Sequence, residues 1–127
     1  MSLDTTKDMQ FHYDLGKQLL ELRQEGVLIL GSGNMVHNLG IMAWQDAAFD
    51  WAIDYDTNLR QWILDDEYEP IIHYEKHGRA GLLAVNSGEH YEPLMYILAL
   101  KEPSETVTFF AEKVTYGSIS MRSVMIG

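Results

Sequence analysis

No cysteine occurs among the 127 residues. That single absence excludes disulfides, thiolate nucleophiles and thiolate metal sites, so any metal must rest on His, Asp, Glu or water. Positive charge is also scarce: nine Lys and Arg face nineteen Asp and Glu, for a formal charge of −10. Such a field repels phosphate backbones, and nucleic acid is not an expected partner. No apolar run approaches the roughly 20 residues that cross a bilayer, so no membrane span is expected. The opening Met1-Ser2-Leu3-Asp4 lacks a basic segment followed by an apolar stretch. It therefore does not read as a secretory signal, and a cytoplasmic location is the expectation.

What is present suits one globular domain over 1–127. Hydrophobic residues make up 46% of the chain, an ordinary share for a packed core. A helix is expected over 7–25, with Phe11, Leu15, Leu19 and Leu22 as its apolar stripe, Thr5 or Thr6 as cap and Gly26 as its end. Val27-Leu28-Ile29-Leu30 then reads as a strand buried on both faces, the pattern of a parallel sheet covered by helices. A glycine- and asparagine-rich turn spans 31–40. Helical patterns follow over 47–64, 70–76 and 89–100, and two strands, 107–114 and 118–126, are joined at Tyr116-Gly117. The acidic stretch from Asp46 to Glu69 reads as a solvated face. Trp44, Trp51 and Trp62 read as core or interface residues rather than stacking platforms. Helix followed by buried strand argues for an α/β layer architecture. Three strands leave the apolar faces of so many helices poorly covered, so the chain reads as half of a larger layered domain, or as one that pairs with a copy of itself.

Histidine carries the candidate chemistry. His37 follows the expected strand on a turn containing Gly31, Gly33 and Asn34. Ligands of open α/β sheets sit beyond strand carboxyl ends, so an imidazole there is placed either for chemistry or for capping the turn. His90 stands at an expected helix start beside Glu89, where the helix dipole favours neutral imidazole; a surface role is the alternative. His73 and His77, four apart, could share a helix face, but the sequence between them lacks the glutamate of zinc-protease helices, and Lys76 sets a positive charge nearby. They read as a solvated helix end. His12 reads as structural.

Three stretches carry a resemblance: Gly31-Ser32-Gly33-Asn34-Met35-Val36-His37-Asn38-Leu39, Glu89-His90-Tyr91-Glu92-Pro93-Leu94-Met95-Tyr96, and Tyr116-Gly117-Ser118-Ile119-Ser120-Met121-Arg122-Ser123-Val124. Together they resemble the carboxyl-terminal half of a class III extradiol ring-cleavage dioxygenase, in the branch that includes the DOPA-type enzymes. The likeness runs over effectively the whole chain, with Gly88 standing where the family commonly has proline. It implies an α/β fold, a partial layered sheet with helices on its faces. It also implies opening of a catechol-type aromatic ring with O₂ and non-haem Fe(II), zinc being the alternative metal. By the same resemblance His90 is a metal ligand and His37 a ligand or an acid/base. Asn34 and Glu89 would fix ring orientation, and Tyr91 and Tyr96 would either line the pocket or pack. The family's other metal histidines belong to a His-Gly-Ser-Pro-like segment and a second site, neither of which occurs in this sequence. The chain alone is therefore expected to be inactive, its missing partner an amino-terminal half or a second copy. Two alternatives follow from the same gap: a non-enzymatic binding or dimeric remnant, and one chain of a split enzyme.

Overall fold

Helix α1 (Met9–Lys17) starts where Asp8 can cap it, its carboxylate accepting the Phe11 N–H at 2.8 Å. The structure, a computed structural model, describes all 127 residues. Thr5 and Thr6 do not cap the helix, and the Thr6 hydroxyl donates to Asp4 instead. The helix expected over 7–25 is divided by a tight turn at Gln18 and Leu19, after which α2 (Leu20–Gln24) completes it. Gly26, at φ +86°, ends α2 while the Val27 N–H reaches back to the Leu22 carbonyl. The buried face is not the expected stripe: Met9, His12 and Gly16 are covered, whereas Phe11 and Leu22 are exposed.

Residues 27–30 depart most from expectation. They belong to no strand, and Leu28 and Leu30 are 85% and 84% exposed. The apolar run is patterned for cover on both faces, and no element of this chain supplies the second cover or a neighbouring strand.

The core lies elsewhere. Helix α3 (Asp50–Leu64) buries Ala52, Tyr55, Leu59 and Ile63, and Trp51 and Trp62 pack at its margin. Trp44, by contrast, is on the surface beside Tyr116. The short α4 (Glu69–Ile72) and α5 (Gly78–Ala84) add Ile71, Ile72 and Ala84. Helix α6 (Glu92–Leu98), preceded by one 3₁₀ turn at Gly88–His90, adds Leu94, Met95 and Leu98 and packs along α1.

The expected strand pair is interrupted. It forms as β1 (Val107–Phe110) against β4 (Ser123–Ile126), and β2 (Val114–Thr115) against β3 (Ile119–Ser120), both antiparallel. The break falls at Ala111, whose φ of +52° turns the chain out of strand geometry. Val36–Asn38 lies alongside β3: the Ser120 N–H donates to the Val36 carbonyl at 2.9 Å, and the Asn38 N–H to the Ser118 carbonyl at 3.2 Å. On its other side the His37 N–H donates to the Ala84 carbonyl at 2.9 Å. A small mixed sheet thus forms around His37, antiparallel on one side and parallel on the other. No helix is long and apolar enough to cross a membrane.

Candidate functional site

Three separate sequence stretches meet at one point, and the backbone explains why. At Gly33 the turn presses against the 3₁₀ segment: a Cβ there would lie 2.0 Å from the His90 carbonyl oxygen, so only glycine fits. The Asn34 N–H then donates to that same carbonyl at 2.9 Å, and the Asn34 side-chain amide donates to the Ser120 carbonyl at 2.8 Å. Three residues on from Gly33, Val36 is fully buried, which fixes the face His37 presents. The Ser118 hydroxyl donates to the Asn38 carbonyl at 2.7 Å, and the Asn38 amide to the Leu83 carbonyl at 2.8 Å. The glycine turn is thereby held between α5, β3 and the His90 segment.

The outcome is an imidazole pair. The rings of His37 and His90 stack with centroids 3.7 Å apart and planes 26° from parallel. His37 is half-buried, and its Nδ1 is buried with no hydrogen-bond partner. Burial pulls the His37 pKa below its usual 6.5; the neighbouring His90 pushes the same way, and Glu89 opposes both. Burial and His90 thus favour the neutral form of the ring. Glu89 is exposed and accepts from the Ser87 hydroxyl at 3.0 Å. Neither Asn34 nor Glu89 hydrogen-bonds an imidazole; Asn34 acts by tying the turn to β3, and Glu89 by charge.

The stack decides how these rings can serve a metal. Imidazole donates through an in-plane lone pair at about 2.0–2.1 Å. Two nearly parallel rings aim their lone pairs side by side rather than at one point, so the pair as it stands does not chelate a single ion. No cluster of three or more His, Asp or Glu with metal-holding geometry occurs in the chain. Taken singly, His90 faces a groove and can offer one nitrogen there.

That groove, of about 600 Å³, is lined by residues 27–30, by Pro93, Leu94 and Ile97, by β4, and by His90 and Asn34. The other predicted residues lie outside it. The Tyr91 hydroxyl donates to the Ile71 carbonyl in the core, and the Tyr96 hydroxyl pairs with His12 Nδ1 at 2.9 Å, so both tyrosines pack. His12 is fully buried, with Nε2 3.8 Å from the Glu92 carboxylate. His73 lies between Glu69 and Glu75, and His77 packs at a tilt against Trp62, so neither joins the site.

One buried pair breaks the solvated face expected of the acidic stretch. Asp56, 3% exposed, accepts from the Arg122 Nε at 3.0 Å and the Ser120 hydroxyl at 2.6 Å. A signal for it exists in the sequence: Asp56 follows Ala52 by four residues and precedes Leu59 by three, which puts an acid on the apolar side of α3.

The family model of the catalytic LigB subunit of aromatic ring-opening dioxygenase matches residues 1–126, and the chain belongs to that family. It is 34% identical over 132 aligned positions to the 4,5-DOPA dioxygenase extradiol of Escherichia coli K12, covering 100% of this chain and 48% of the relative. The enzyme of the same name from Beta vulgaris is 35% identical over 95 positions, 74% of this chain and 35% of that one. A solved structure of an uncharacterized protein from Escherichia coli K12 superposes with a TM-score of 0.88 at 33% identity, over 97% of this chain and 52% of that one. The α/β architecture, a partial layered fold, is therefore the family's. The chain spans about half the length of these relatives.

Proposed function

We propose that this chain forms one half of an extradiol dioxygenase that opens catechol-type aromatic rings with O₂, and that His37 and His90 divide the work. The observation that carries this reading is the stack: residues 53 positions apart in sequence bring two imidazoles to a centroid distance of 3.7 Å, and one of them, His90, lines an apolar groove. A catechol has an apolar ring and two acidic hydroxyls, so it matches a groove with apolar walls and an imidazole in its lining. His37 is the proton acceptor in this reading. Its depressed pKa favours the neutral ring, and with Nδ1 buried, Nε2 is the nitrogen left to take a hydroxyl proton. His90 is the residue offered to a divalent non-haem metal, iron(II) first and zinc second, whose chemistry when bound is to hold the diol and O₂ together. One nitrogen does not retain such an ion well, so the remaining donors must come from outside this chain.

Two measurements test this. The purified chain supplied with Fe(II), a catechol and air should give no yellow ring-opened product, and robust turnover would overturn the half-site reading. Calorimetric titration with Zn²⁺ should show weak binding that His90→Ala removes and His37→Ala retains. Equal binding in wild type and both variants would take His90 out of the metal site.

A further inference from the structure

Glu92 is a buried carboxylate that the imidazole pair does not use. It is 2% exposed, yet its Oε2 has no hydrogen-bond partner. His12 Nε2, 3.8 Å away, is too distant for a hydrogen bond and is itself buried without a partner. Buried polar groups are nearly always hydrogen-bonded, so an orphaned carboxylate oxygen calls for an occupant. Glu92 lines a recess of about 470 Å³ between the start of α1, the residues around Tyr74 and the Gly88–His90 turn. No residue of that recess also lines the groove that holds His90. Gly88 leaves room beside the carboxylate: a Cβ there would lie 2.8 Å from Glu92 Oε1 and 3.3 Å from the Met9 side chain.

We propose that this recess binds a small organic amine in its protonated form, with the ammonium on Glu92 and an apolar body against Met9, Ile72 and Tyr74. Charge selects a cation. Asp8, Glu75 and Glu89 also line the recess, and Lys7 is its single Lys or Arg. Those three acids already have partners: Asp8 caps α1, Glu89 accepts from the Ser87 hydroxyl, and Glu75 lies 3.4 Å from His73 Nδ1. Lys7 sets its ammonium over the Phe11 ring, 5.6 Å from the centroid. Glu92 is thus the acid left to take a donor. A divalent metal fits less well, because no group of three or more His, Asp or Glu in the chain could hold one. An ammonium asks for less, since its N–H groups form charge-assisted hydrogen bonds to a single carboxylate. The apolar part of the lining is covered by an alkyl body and left bare by an alkali ion. The recess stands apart from the dioxygenase reading and survives its failure.

The test is a titration of the full chain with butylammonium chloride at pH 7 and constant ionic strength, followed by amide NMR shifts. Saturable shifts are expected at Tyr74, Gly88 and Glu89. Butyltrimethylammonium carries the same charge without an N–H donor, and should bind about tenfold more weakly. Glu92→Gln keeps the shape and removes the charge, and should weaken butylammonium by about tenfold or more. Gly88→Ala should weaken it as well, and the fold tolerates the methyl because it meets the far end of the Glu92 side chain. Absence of saturable shifts at these amides in the wild type would overturn the site. Equal binding of the two ammonium ions, or the same shifts and midpoint with potassium, would overturn the amine as its ligand. Wild-type affinity in Glu92→Gln would remove Glu92 from the recess's chemistry. Should that variant fail to fold, the comparison of the two ammonium ions on the wild type decides alone.

Discussion

Replacing Asp56 by alanine is expected to lower stability by about 3–5 kcal/mol, the usual cost of leaving a buried charge without its partner. The Asp56 and Arg122 side chains are 4% and 8% exposed, and the guanidinium makes a forked contact to the carboxylate through Nε and Nη2. Without Asp56, Arg122 keeps Glu112 at the solvent side and the face of the Phe109 ring. Ser120 loses its acceptor as well, and Ser120 is the residue whose backbone holds Val36 and Asn34. Urea unfolding at pH 7 measures the loss directly. Asp56→Asn should recover part of it, because a neutral oxygen still accepts. A loss under about 1 kcal/mol would place this pair among surface ion pairs in effect, and would contradict the anchoring role given to it.

A second large effect is expected at Gly33. Alanine there puts a methyl carbon 2.0 Å from the His90 carbonyl oxygen, and both sides of that contact are backbone. Neither can swing aside as a side chain does, so the turn and the 3₁₀ segment must separate. A cost of about 3 kcal/mol is expected, at the upper end of ordinary overpacking. The Asn34 N–H to His90 carbonyl bond breaks with that movement, and the imidazole stack opens. Gly40→Ala is the control: its Cβ would meet only the Asn38 side-chain oxygen, at 3.4 Å, and should shift stability little. Thermal melts of the two variants separate the cases. Equal, small shifts would show that the close approach at Gly33 does not hold the site together.

Much of the site is legible in the sequence, and more of it than of the fold. Gly33 and Asn34 mark a turn where backbone can approach closely, and His37 and His90 are imidazoles beside expected element ends, where a side chain can face a cleft. That His37 and His90 meet is a long-range fact, set by the Gly33 approach and the β3 pairing, and no local pattern encodes it. The roles of Asn34 and Glu89 are similarly out of reach: side-chain amides and carboxylates bond whatever carbonyl or hydroxyl the fold brings, here Ser120 and Ser87. Residues 27–30 show the opposite limit. Their pattern speaks of a buried strand, and in the fold they pair with no strand. Phe11 and Leu22 belong with them, apolar residues left in water on a helix whose buried face is Met9, His12 and Gly16. The 107–126 region reads correctly as strands, but the left-handed turn at Ala111 that divides them has no glycine or asparagine to mark it.

A proton titration of the His37 ring by NMR reads whether His37 and His90 act as one pair. The folded value should lie below 6.5, where burial and His90 hold it. The sign for stability follows: the unfolded chain takes the proton first, so the stability contributed by the neutral ring is full above pH 6.5 and is lost as pH falls through the folded value. In His90→Gln the His37 midpoint should rise toward 6.5, because the neighbouring charge is gone and the ring is freer to meet water. A wild-type midpoint at or above 6.5, or one that His90→Gln leaves unmoved, would contradict the shared site.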